Sequence, residues 1–226
     1  DGTVSNTISG NTLQNSGLFD FDLSTASSSG CSNSISNNTG SGGDPIGFYN
    51  SDVTVSDEDF SELILCNADG AEFSNIVVSS LIDEIDNNGI FVNWTDGATL
   101  SDVISSENYA GIYMNGSLYL DSGIANITGT INLIGSDTNY LSSENCPLNT
   151  LLAINCNGTY QLLDSIYGSS LYIYHTRGSF NSNNQNISAM LFYSTGNFAR
   201  ALTLGSSEFS ITGTSKAFNL LDTGLT

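Results

Sequence analysis

Basic residues are nearly missing from this chain. Lys and Arg number 3 among 226 residues, against 23 Asp and Glu and one His, for a formal net charge of -20. Charged residues are only 12% of the total, so the imbalance reflects absent bases rather than unusual acidity. A surface without Lys and Arg cannot neutralise phosphates, which excludes nucleic-acid binding and disfavours adhesion to an anionic membrane. No run of about 18 apolar residues occurs, so no transmembrane span or membrane insertion is expected. Proline is scarce as well, with two residues. Neither a Pro-rich nor a charged linker divides the chain, which predicts a single domain over residues 1–226. Amphipathic helical patterns are also lacking: apolar residues alternate or cluster by four, and Gly recurs too often.

What fills the chain is Ser, Thr, Asn and Gly, roughly half of it, a composition that can mean disorder. Here hydrophobic residues reach 39% and recur at a period. Between Asp86 and Thr130 one pattern occurs twice. Gly89 leads into Ile90, Phe91 and Val92, then LSDVISSEN leads to Gly111, Ile112, Tyr113 and Met114, about 22 residues further on. Ile131 to Gly135, Leu151 to Cys156, Leu171 to Tyr174 and Met190 to Tyr193 follow at roughly 19 to 20 residues. Earlier strand signals stand at Val4 and Ile8, Gly17 to Phe21, Gly47 to Tyr49, Leu63 to Cys66 and Phe73 to Val78; later ones lie at Ala201 to Leu204, Phe209 and Ile211, and Phe218 to Leu221. Residues 24–43 read as a loop insertion. A unit this short cannot bury its own apolar side chains and must stack on its neighbours.

The stretches VSNTISGN with Gly17 and Leu18, NSISNN with Gly47 and Phe48, and LSDVISSEN with Gly111 and Ile112 resemble the parallel β-helix repeat family of archaeal and bacterial surface proteins. The resemblance implies an all-β, right-handed parallel β-helix, a solenoid of about ten rungs, with apolar ladders inside, Asn and Ser ladders at the corners, and Gly where a side chain would obstruct. That solenoid carries lyases, hydrolases, adhesins and coats alike. Its hydrolases use acids beside Gly-His-Gly and Arg-x-Lys, and its lyases need a base. This chain has only Arg177, Arg200, Lys216 and His175 and none of those motifs, so no enzymatic activity is expected. His175 and Arg177, two apart on one strand, could bind a carboxylate or could be a solvated pair. The resemblance implies a structural protein, a subunit of an extracellular sheath, S-layer or coat, with the archaeal tubular sheaths of methanogens as the particular comparison. Its partners would be copies of itself in a homopolymer, and glycans. The alternative is a carbohydrate-binding adhesin or spike displaying Tyr113, Tyr119, Tyr172 and Tyr174 in a row.

The chain opens on Asp1, consistent with a removed signal peptide, and four cysteines in so Lys-poor a chain suit an oxidising, extracellular cell-surface location. Cys31, Cys66, Cys146 and Cys156 allow three intrachain pairings. Neither separation, 31 to 66 or 146 to 156, matches the repeat, so local and interchain disulfide bridges both stand open. Asp57, Glu58, Asp59 and Glu62 offer hard oxygen ligands for calcium, as do Asp83, Glu84 and Asp86. No EF-hand or Gly-rich calcium spacing accompanies them, and a solvated acidic face is the plainer alternative. No cofactor is implied, although divalent cations would relieve the charge. Sequons at Asn37, Asn93, Asn115, Asn126, Asn157 and Asn186 permit a glycoprotein but are no more than this composition would give by chance.

Overall fold

A computed structural model of the chain describes residues 5–13, 19–23, 25, 27–79, 89–106, 108, 110–120, 126–127, 129–144, 146–214 and 218–220. Among these the chain is all-β apart from one four-residue 3-10 turn. In order, the elements are β1 (Thr7–Ser9), the turn η1 (Ser28–Cys31), β2 (Ser34–Ser36), β3 (Ile46–Tyr49), β4 (Thr54–Phe60), β5 (Glu62–Cys66), β6 (Glu72–Ser79), β7 (Ile90–Ser106), β8 (Ala110–Leu120) and β9 (Asn126–Ile127). They continue as β10 (Thr130–Leu133), β11 (Thr138–Ser142), β12 (Leu151–Leu162), β13 (Ile166–Tyr167), β14 (Tyr172–Asn181), β15 (Ile187–Ala189), β16 (Leu191–Ser194), β17 (Arg200–Thr203), β18 (Phe209–Ile211) and β19 (Phe218–Leu220).

Every pairing between these strands is parallel. β1 and β2 form one sheet, β13, β15 and β18 a second, and the remaining 14 strands a third. The pairing follows the repeat in the sequence: hydrogen-bonded partners stand 22 residues apart between β7 and β8 and 20 apart between β12 and β14. Near the amino terminus the interval is longer, 27 residues beside β1 and β2. The long strands serve two neighbours each. β12 pairs through Leu151–Ile154 with β10 and through Thr159–Leu162 with β11, and its register against β14 breaks between Asn155 and Thr159.

Register explains the core. Leu63, Ile90, Ile112, Ile131, Leu152, Ile173 and Phe192 stand side by side across seven strands, and all are buried. At about 1.5–3 kcal/mol for each fully buried aliphatic or aromatic side chain, such rows are the main force holding the sheets. Corners are turned by residues that tolerate a left-handed backbone. Asp57, Asn75 and Asp102 have φ of 60°, 54° and 51° and lie in register on β4, β6 and β7.

The amino-terminal segment departs from the expected pattern. Phe19 and Phe21 alternate as in a strand, yet residues 19–23 form no strand. They run as a strap over the outer face of the large sheet, where Leu13, Phe19, Phe21 and Leu23 pack on Ile46, Ile64 and Phe91. Phe19 meets the edges of the Phe91 and Tyr113 rings at 5.8 and 6.0 Å. The expected loop at 24–43 contains η1 and β2, the latter paired with β1. Val4, Gly17, Leu18, Leu221, Lys216 and the acidic run Asp83, Glu84 and Asp86 lie outside the described residues.

Candidate functional site: a cleft at a shortened corner

Stacked corners on one side of the molecule leave a cleft of about 270 Å³ lined by Asn67, Asp69, Trp94, Asp96, Asn115 and Asp137, among others. Its origin is a difference in corner length. Cys66 pairs with Asn93, which sets the corner after β5 directly against the one inside β7. Asn67 and Trp94 follow, with φ of 57° and 51°. These two corners are tied closely: Asn67 donates through its backbone N–H to the Asn93 carbonyl at 3.0 Å, Ala68 to Thr95 Oγ1 at 3.1 Å, and Asp96 to Asp69 Oδ1 at 2.7 Å. The next corner, in β8, is shorter. Asn115 faces Asn93 and Gly116 faces Thr95, yet Leu118 already faces Ala98. Gly116 passes so close beneath Thr95 that a Cβ would fall 2.2 Å from its carbonyl oxygen, so no side chain fills the gap. The following corner supplies Asp137.

Trp94 forms one wall and is the only Trp in the chain. A bulky side chain at positive φ is unusual, and its neighbours hold it there: the indole N–H donates to the Thr25 carbonyl at 3.2 Å. Asn93 Nδ2 donates to Thr25 Oγ1 at 3.1 Å and Asn115 Nδ2 to Asn93 Oδ1 at 2.8 Å. Thr25, two residues beyond the strap, thus stands at the rim. Asp69, Asp96 and Asp137 are exposed and Asn115 half-buried, an arrangement of carboxylate and amide groups beside an aromatic side chain.

The residues anticipated as sites are scattered. Asp57, Glu58 and Asp59 lie exposed on β4, whereas Glu62 is fully buried beneath the strap. The four therefore do not converge, and among the described residues no group of three or more His, Cys, Asp or Glu is placed to hold a metal. Glu62 Oε2 accepts a bond from the Phe21 backbone at 3.0 Å while Oε1 lacks a partner. Loss of solvent pushes its carboxyl well above the usual range, the Phe21 bond opposes this, and the Asp20 and Asp22 carboxylates add to the rise. Asp57 moves the other way: bonds from Asn75 (Nδ2 to Oδ1, 2.6 Å) and Ser56 favour its ionised form.

Cys31 and Cys66 are bridged, 35 residues apart with Cα atoms at 5.3 Å. The separation matches no repeat because Cys31 belongs to the strap side rather than to a stacked strand. Cys146 and Cys156 are not joined to each other and are buried. Of the sequon residues, Asn37, Asn157 and Asn186 are exposed; Asn93 is buried with its amide engaged in the ladder, which leaves no room for a glycan in the folded state. Asn115 lines the cleft, and the side chain of Asn126 lies outside the described residues.

His175 and Arg177 do not share a face. His175 is buried, with Nε2 at 2.9 Å from the Gly178 carbonyl and Nδ1 at 3.4 Å from Ser194 Oγ, while Arg177 sits over the Phe198 ring at 4.8 Å. Ser194 also accepts from Arg200 Nε at 3.1 Å, and Arg200 is itself buried. Burial lowers the His175 pKa, the Gly178 bond opposes this, and the Arg200 charge lowers it further. The anticipated tyrosine row is broken too. Tyr113 is under the strap and stacked on Phe91 at 5.4 Å, Tyr119 lies on the far half of β8, and Tyr172 and Tyr174 share an outer face with Tyr193.

No family model, curated protein or solved structure matches this chain. No helix among the described residues is long and apolar enough to cross a membrane.

Proposed function

We propose that the protein is a structural subunit of an extracellular sheath, surface layer or coat, its parallel strands wound as a right-handed β-helix of about ten rungs that associates with further copies of itself. The winding is supported by the all-parallel pairing at intervals of 20 to 22 residues and by the right-handedness of crossovers between parallel strands. The extracellular setting is supported by the Cys31–Cys66 bridge, since such bridges persist in oxidising compartments.

The observation that carries the proposal is the edge formed by the last described strands. β17, β18 and β19 each pair on one side only among the described residues. Around them Phe218 and Leu220 are 45% and 44% exposed. In β18, the Glu208 carbonyl and the Thr212 N–H bond inward to β15, so by alternation the peptide groups of Phe209 and Ile211 point outward. An edge of this kind templates another strand. The opposite edge strand, β4, carries the exposed Asp57, Glu58 and Asp59, a charged edge that discourages indiscriminate pairing. Two unlike edges define a heterologous contact, which closes as a ring or extends as a filament.

Light scattering and electron microscopy of the purified chain across a concentration series test this. Regular rings, tubes or filaments are expected, and Ile211→Pro together with Leu220→Lys should leave a folded monomer. A wild-type chain that stays monomeric at millimolar concentration, with and without divalent cations, would overturn it.

A further inference from the structure

The cleft at the shortened β8 corner is not needed for the fold's own packing. Its Asp69, Asp96 and Asp137 side chains are exposed, and the gap between the β7 and β8 corners exists because Gly116 stands where a longer corner would fill it. Trp94, at positive φ with its indole N–H on the Thr25 carbonyl, lines that gap.

We propose that this cleft binds a single sugar residue of a glycan, one carrying no acid group, with its ring against Trp94 and its hydroxyls on the Asp69, Asp96 and Asp137 carboxylates and the Asn115 amide. The chemistry of each wall selects that class. An indole plane offers apolar area with a defined edge and face, which suits the C–H face of a pyranose. Carboxylates accept two hydroxyl bonds each and amides both donate and accept, which suits a ligand dense in hydroxyls. No base lines the cleft, and the chain carries -20 overall, so uronates, sialic acids and sulfated sugars are repelled, whereas an amino sugar gains. The volume, about 270 Å³, lies just below that of pockets for drug-sized ligands, about 300–1,000 Å³, and holds one residue rather than a length of chain. The site is independent of assembly, because it lies on a corner face and not on the strand edges.

Since Trp94 is the sole Trp and lines the cleft, its emission reports on binding there. The intact protein would be titrated with chitotriose (the N-acetylglucosamine trimer), the glucosamine trimer, maltotriose, trigalacturonate and calcium chloride. The expected result is a saturable emission change with at least one neutral or amino sugar and none with trigalacturonate. Asp137→Asn, at an exposed carboxylate, should weaken binding at least tenfold. Trp94→Gly, followed by calorimetry, should abolish binding with the circular dichroism unchanged, because Gly suits the positive φ. No response to any sugar at millimolar concentration, an equal response to trigalacturonate, or a response to calcium alone would each overturn the proposal.

Discussion

At the scale of single residues, close backbone approach decides which positions tolerate change. A Cβ at Gly158 would fall 2.1 Å from the Asp137 carbonyl oxygen and 2.4 Å from that of Ser136, and both are backbone atoms of the adjoining corner, which cannot swing aside as a side chain can. Gly158→Ala should therefore cost about 3 kcal/mol or more, read as a fall in Tm. Gly43 has φ +92 but nothing within 4 Å of the added carbon, so Gly43→Ala should cost only the conformational strain, about 1 kcal/mol. Two buried titratable groups set opposite pH dependences. The Glu62 pKa is raised by burial, so the fold favours its protonated form: its contribution is most favourable below the ordinary glutamate range and declines as pH rises through the raised value. Glu62→Gln should remove that decline from a series of melts between pH 4 and 8. The lowered pKa of His175 works the other way, favouring stability above about pH 6.5 and eroding it as pH falls below. A Glu62→Gln variant with the wild-type pH profile would show that the carboxyl is not buried in solution. None of this was legible in the sequence, where Glu62 reads as one acid of four beside Asp57, Glu58 and Asp59.

Among the elements, strands were far more legible than the strap. The Gly-led strands at Gly47, Gly89 and Gly111 and the apolar runs beginning at Leu63, Leu151 and Met190 fall on strands of the fold, give or take a residue at their ends, because an alternation buried on one face or a short apolar run buried on both is a local signal. The strap at residues 19–23 alternates for the same reason, packing on a flat sheet, and so imitates a strand while pairing with none. The cysteine pattern misleads in a related way. Repeat spacing predicts which stacked residues meet, but Cys31 reaches Cys66 across the face of the sheet. The Trp94 cleft was equally hidden, since it arises from a difference in length between consecutive corners and not from any motif. Closing a loop of 35 residues should be worth roughly 3–4 kcal/mol. The Cys31→Ser, Cys66→Ser double variant should lose about that much by denaturant melt. It should also shift Trp94 emission to the red as Thr25 and the strap loosen; an unchanged spectrum would mean that the strap holds without its covalent tie.

For the whole molecule, the distribution of charge and of open edges sets how copies meet. Copies that each carry -20 repel in any contact, the β4 carboxylates among them, and the chain has almost no bases with which to answer them. Divalent cations or acid should therefore raise the fraction of assembled protein, and chelation at pH 8 should lower it, both by sedimentation. Because bonds to Asn75 and Ser56 keep Asp57 ionised below the ordinary range, the acid effect should continue downward past the pH at which unperturbed carboxylates are half neutral, about 4.

Hydrogen exchange as a function of protein concentration tests the central claim most directly, since it reads the outward amides of β17, β18 and β19 themselves. If copies join by continuing the sheet, the N–H groups of Phe209 and Ile211 and the outward N–H groups of the neighbouring β17 and β19 exchange quickly in dilute monomer and become strongly protected as particles grow, while amides within β12 stay protected throughout. Particles that grow while Phe209 and Ile211 remain fast to exchange would contradict the account, because copies would then be meeting through side chains and not through the open strand edges.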